Sequence, residues 1–402
     1  MTLTRSPGNR RLIALLGAFC FFLSLVEFMI PRPLPFIRLG LANLPLLLAL
    51  DILPFPSFLI LIALKVFGQA LISGTLFSYV FLFSLGGSAV SAILMYALRR
   101  GLGAGRISLI GVSAAGAMAS NAVQLLMAYY LIFGQSVRFV AAPVLALGIV
   151  TGTLLGIFAE YFIGRSKWYN NLNLVLAEAR STQRTQEEEK ELVNSSLRKA
   201  REEFCLKLFA PAELALAGLC MMAAMLFNQD TTAMFIQFLF FFFLAWLSGK
   251  KINLLFTVSV MFTIVFFNLL VPYGQILFSL GPLAVTSGAL QAGINRALMF
   301  QGLFMLSKCC VRPDLIFPGA FGSLAGESLR IFGRLTEEKK AIGKKNWVAY
   351  VDSLLISYTE NAAESPVEER RQRSSGQIFA SRLVLAAAVI LSWLPNLLLK
   401  LG

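Results

Sequence analysis

The sequence has no histidine and only four aspartates, Asp51, Asp230, Asp314 and Asp352, none beside another. The first absence excludes His-based acid–base catalysis and His metal ligation. The second excludes the clustered carboxylates that hold a diphosphate through Mg²⁺. No G-x-x-x-x-G-K-[ST] run occurs, so the chain carries no Walker-type nucleotide site of its own. The glycine-rich stretch 319–328 lacks the lysine and reads as a flexible link. The five cysteines (Cys20, Cys205, Cys220, Cys309, Cys310) show no zinc spacing, and the adjacent pair 309–310 is poor disulfide geometry. They read as small apolar residues. Together these absences predict no catalytic residue, no metal site and no covalently bound cofactor, so the chain is not expected to be an enzyme on its own.

Charge is also scarce, at 14% of residues, whereas 57% are apolar. Mean hydropathy is +0.74, and many apolar runs approach the roughly 20 residues that cross a ~30 Å hydrocarbon layer as a helix. The fold class expected is all-α: a polytopic membrane protein with about eleven transmembrane helices in two modules, plus cytoplasmic amphipathic helices. Spans are expected near 12–30, 39–53, 56–73, 75–98, 107–133 and 139–163. Others follow near 207–227, 231–248, 252–271, 283–307 and 379–399. The first is too long, and lacks a small-residue cleavage site, to be a removed secretory signal.

The net charge of +14 would suggest nucleic acid in a soluble chain. Here the basic residues cluster at span ends and so set orientation instead. With the N-terminus cytoplasmic, "RRGLGAGR" (99–106), Arg165, "GKK" (249–251) and "SKCCVR" (307–312) all fall inside, whereas "NQD" (228–230) and "PYGQ" (272–275) fall outside. Three parts follow. Residues 1–167 form a six-span module. Residues 168–206, containing "TQEEEKELVNSSLRKAREEF", form a charged cytoplasmic helical linker. Residues 207–402 form a second module with an amphipathic cytoplasmic region at about 311–377, its pattern suited to a membrane surface or a partner.

Polar groups within spans are the informative positions. Lys65 lies in the middle of the third span and Asn43 in the second. Arg32 and Arg38 flank "PLPFI" on the outer side, against the orientation rule. Together they predict a cationic, hydrogen-bonding pocket for an anionic group such as a phosphate or carboxylate. Snorkelling to headgroups is the competing reading for the arginines. Glu27 and Asp51 stand as acidic partners for Lys65. Small residues give a second signal, because they let helix backbones approach closely. Ala14 and Ala18 form AxxxA in the first span, and Gly148, Gly152 and Gly156 form two overlapping GxxxG repeats in the sixth. Both read as bundle packing or as faces for docking another module. In "SAAGAMASNAVQ" (113–124), Asn121 and Gln124 are either an interhelical clamp or the floor of the pocket.

"RLGLANLPLLLAL" (38–50), "ALISGTLFSYVFLFSLGGSAVSAILMYAL" (70–98) and "GVSAAGAMASNAVQLLMA" (111–128) resemble the Gx transporter family. That family is also labelled heptaprenyl diphosphate synthase component I, and is similar to the substrate-binding S components of energy-coupling factor transporters. The likeness covers about residues 10–165. It departs at Lys65, often arginine in the family, and at Ser120, often histidine. "FSLGPLAVTSGALQAGINRALMFQGLFMLSK" (278–308) more loosely resembles the transmembrane T component of those transporters.

The resemblance implies a multi-pass protein of the bacterial cytoplasmic membrane that binds a cofactor-like small molecule from the outer side, with a flavin as first guess. In this reading Ala14 and Ala18 form the face that docks on the T-like module. Arg330 and Arg334 are the nearest candidates for contacts to separate ATPase subunits. The alternative is an accessory membrane subunit that binds isoprenoid diphosphate or quinone precursors.

Overall fold

The computed structural model describes residues 7–29, 40–103, 105–170, 209–250, 252–280, 283–311, 319–338 and 375–401. The chain is an all-α polytopic membrane protein. The first module contains α1 (Pro7–Met29), a 3₁₀ turn (Leu41–Asn43), α2 (Leu44–Ala49), α3 (Phe55–Ser73), α4 (Tyr79–Leu102) and α5 (Leu109–Ala128). A π-helical turn (Tyr129–Phe133) and a 3₁₀ turn (Gly134–Ser136) lead into α6 (Val137–Arg165) and the short α7 (Lys167–Asn170). The second module contains α8 (Pro211–Leu226), α9 (Thr231–Leu247), α10 (Leu254–Leu269), α11 (Ser287–Cys310), α12 (Gly319–Glu338) and α13 (Ser375–Leu401).

Local chemistry sets several of these boundaries. Ser108, Asp230 and Asn253 each cap a helix by accepting a backbone N–H of the first turn, from Gly111, Ala233 and Phe256. Gly74 ends α3 at φ +65°, a conformation open mainly to glycine.

Among the described residues, five stretches are long and apolar enough to cross a membrane: Asn9–Glu27, Phe55–Ser73, Tyr79–Leu102, Leu109–Arg165 and Ile378–Leu397. The fourth holds two helices, because the π and 3₁₀ turns fold α6 back along α5. The apolar α8, α9 and α10 are shorter. The second expected span is not a full one. Over 39–53 the chain makes the 3₁₀ turn and six residues of α2, too few to cross a bilayer. The tenth was expected to begin at 283, where the chain instead pairs β1 (Ile276–Leu280) with β2 (Leu283–Thr286) in an antiparallel hairpin before α11 starts. The linker expected over 168–206 lies outside the described residues beyond its first turn, as does most of 311–377 apart from α12.

Helix α1 is enclosed on all sides, with every residue from Leu12 to Phe21 except Gly17 among the buried apolar side chains. The element that closes it is α12. Its inward positions Phe321, Leu324, Ala325, Ser328 and Phe332, all apolar except Ser328, recur at helical spacing. Arg10 Nη2 donates to Ser323 Oγ at 3.0 Å. A Cβ on Gly17 would meet Ser328 Oγ at 3.1 Å, and Phe21 packs edge-on to Phe332 at 6.2 Å. The contacts advance together, so α12 runs alongside α1 in the same direction. Its amphipathic face therefore meets the first module, and Phe321 also reaches Phe67 of α3.

A second junction lies at the turn after α5. Asn268 of α10 donates to the carbonyl of Ile132 at 3.1 Å, and Arg296 Nη1 of α11 donates to Asn268 Oδ1 at 2.6 Å. Gly134, at φ +56°, has the Arg296 guanidinium 2.9 Å from where a Cβ would stand.

Candidate functional site

Helices α3, α4 and α5 present polar side chains to one another at the centre of the first module. On α3, Lys65 and Gln69 are one turn apart. On α4, Ser84, Ser88 and Ser91 share a face. On α5, Ser113, Ser120, Asn121 and Gln124 do the same. With Glu27 of α1, Gly40 and Asn43 of the 3₁₀ turn and Thr151 of α6, they line a cavity of about 40 Å³. By volume that is room for roughly three waters or a compact polar group.

Lys65 is 3% exposed and Glu27 1%. The Lys65 ammonium donates to Asn43 Oδ1 and to Ser88 Oγ at 3.1 Å. Glu27 Oε1 accepts from Gly40 N at 3.2 Å. Gly40 is left-handed at φ +84°, and its carbonyl accepts from Asn43 N at 2.8 Å. Ser91 Oγ is buried in the lining without a hydrogen-bond partner among the described residues. An unpartnered buried hydroxyl facing a polar cavity is the usual mark of a site that takes a water or ligand.

Of the residues expected to bind, the structure brings Asn43, Lys65, Asn121 and Gln124 to this one cavity. Arg32 and Arg38 lie outside the described residues. Asp51 does not face Lys65: it pairs with Arg99 at 2.7 Å, at the end of the module where Arg99 also donates to the Ile107 carbonyl. The serines, Gln69 and Thr151 were missed as site residues. Their signal was spacing: Ser84, Ser88 and Ser91 stand four and three residues apart along α4, and Ser113 and Ser120 stand seven apart along α5, two turns on the same face, with Asn121 and Gln124 beside them.

Asn121 also serves as a clamp, donating to the Val144 carbonyl of α6 at 2.8 Å, and Gln124 donates to Ser120 at 3.0 Å. Gly148, Gly152 and Gly156 are not a face for another module. They lie against α5, where added Cβ atoms would meet Asn121, Ala117 at 2.7 Å and Ile110 Cα at 2.5 Å. Small residues on both helices are what permit this backbone approach. Ala14 and Ala18 are fully buried in α1, the helix that α12 flanks. Arg330 is exposed on α12, and the Arg334 side chain is outside the described set.

No group of His, Cys, Asp or Glu among the described residues is arranged to hold a metal ion. Residues 16–162 match a family described as heptaprenyl diphosphate synthase component I. Residues 213–313 match a domain of unknown function, DUF8519. Comparison with curated proteins and with solved structures gives no match.

Proposed function

We propose that the chain is a membrane transport protein of the energy-coupling type. In this reading the first module binds a cofactor-like small molecule at the Lys65 cavity, and the second docks on it through α12. The observation that carries the reading is a buried ammonium set among hydroxyls and amides, with the unpartnered Ser91 hydroxyl in the same lining. Intramembrane cations of this kind mark substrate paths. The enclosure of α1 by α12 supports a fixed binding module seated on a second one.

In this reading the molecule acts as a binder and carrier rather than as a catalyst. ATP hydrolysis is assigned to separate ATPase subunits, for which exposed Arg330 is the candidate contact. Flavin, as riboflavin or FMN, remains the first candidate cargo, although the lining must open to take its ring system. A second reading draws on the family description over 16–162: an accessory subunit in which Lys65 holds the headgroup of an isoprenoid diphosphate or quinone precursor.

Ligand extracted from protein purified in mild detergent, identified by mass spectrometry and flavin fluorescence, tests both. A polar cofactor-like molecule is expected with the wild type and at least tenfold less with Lys65→Ala. A prenyl diphosphate in that fraction selects the second reading. Equal ligand content in the two proteins would sink both.

A further inference from the structure

The cavity has two poles of opposite charge. Lys65 and Glu27 both line it, both almost completely buried, one on α3 and the other on α1. A continuous hydrogen-bonded path joins them: Glu27 Oε1 accepts from Gly40 N, the Gly40 carbonyl accepts from Asn43 N, and Asn43 Oδ1 accepts from Lys65 Nζ. A Cβ on Gly40 would stand 3.2 Å from Asn43 Nδ2, and the φ of +84° resists any side chain there. The 3₁₀ turn thus acts as a spacer that fixes the separation of ammonium and carboxylate before any ligand arrives.

We propose that this site selects a bipolar ligand group, one with an acidic or strong acceptor atom for Lys65 and a protonated amine or N–H donor for Glu27. The proposal rests on the binding reading above and narrows its ligand class. A carboxylate offers about four acceptor positions; Glu27 uses one of them on Gly40 N among the described residues. The remaining acceptors require donors if the ionised group is to stay buried. A bare phosphate or diphosphate entering the same low-dielectric space gains from Lys65 and is opposed by Glu27. A bipolar group satisfies both poles at once. Ser88, Ser91, Asn121 and Gln124 each carry donor and acceptor capacity and fit either end. Two sources supply this chemistry: a compact zwitterion, or the imide edge of a flavin, where N–H and carbonyls alternate.

The test is equilibrium dialysis of the full chain in detergent against four probes: phosphoethanolamine, riboflavin, inorganic phosphate and ethylamine. At least one of the two bipolar probes is expected to bind wild type ten times or more tighter than phosphate and ethylamine, and which one does so identifies the source. Glu27→Gln is expected to reverse the order, with phosphate gaining tenfold; if that variant fails to fold, the wild-type ranking decides alone. Phosphate binding the wild type as tightly as both bipolar probes, and lost in Lys65→Ala, overturns the two-pole assignment while leaving a binding site in place. If none of the four binds, the molecule extracted from the purified wild type decides: a bipolar one supports the assignment and a purely anionic one overturns it. With no Lys65-dependent molecule of either kind, the binding reading falls as well.

Discussion

Asn121 holds two positions at once, a place in the cavity lining and a hydrogen bond to the Val144 carbonyl of α6. Gly148 is what leaves room for it, since a Cβ there would overlap the amide. Gly148→Ala should therefore destabilise the first module by about 1–3 kcal/mol through overpacking, and Asn121→Ala by about 1 kcal/mol through the lost interhelical bond. The double variant should cost clearly less than the sum, because shortening Asn121 frees the space the new methyl needs. Gly156→Ala should gain no such relief, as its neighbour is the backbone of Ile110. Thermal unfolding of the four variants in detergent checks this, and strict additivity of the Gly148 and Asn121 changes would refute it.

At the scale of elements, α12 is the informative piece. Its pattern is polar on one face and apolar on the other, which in the sequence alone fits a membrane surface as well as a partner. The partner is α1, whose small residues let α12 lie close: Gly17 has Leu64 on one side and Ser328 on the other. A larger residue at this position should press on Leu64 of α3 and on Ser328, pushing α12 away while leaving α5 and α6 packed. Gly17→Leu is accordingly expected to raise amide hydrogen exchange in α12 several-fold, with little change in α5. Unchanged exchange in α12 would show that the helix is held by other contacts. The hydroxyl and amide rows on α4 and α5 belong to this scale as well. They were legible as spacing, yet which face turned inward depended on where α3 and α6 packed.

For the whole molecule, the two modules meet at three places: α12 along α1, Asn268 with Arg296 at the turn after α5, and the chain around Phe77 and Tyr79 against α11, where Phe77 N donates to Ser307 Oγ at 3.0 Å and Tyr79 packs on Phe300. All three are made by described residues outside 171–208. Cutting the chain there and co-expressing the halves should leave them associated through purification by a tag on one half. Asn268→Ala combined with Gly17→Leu should weaken the association, and adding Phe77→Ala, which empties the shared core beside α11, should abolish it. Recovery of the tagged half alone, from the otherwise unaltered pair, would contradict the observed junctions.

The sequence by itself determined the solvent and the class of structure. Apolar runs need no partner to declare a membrane, and backbone groups in hydrocarbon must then be satisfied as helices. It also determined that Lys65, Asn43, Asn121 and Gln124 were out of place in such a setting, because burying each carries a desolvation cost wherever it packs. Tertiary structure alone decided which of these groups share a cavity, and that Asp51 belongs to Arg99 while Glu27 shares the cavity with Lys65. It also decided that the GxxxG face meets α5 and that α2 is too short to span. Hydropathy records how much each residue avoids water, but pairing depends on distances between helices far apart in the chain, and those are set only when the backbones pack.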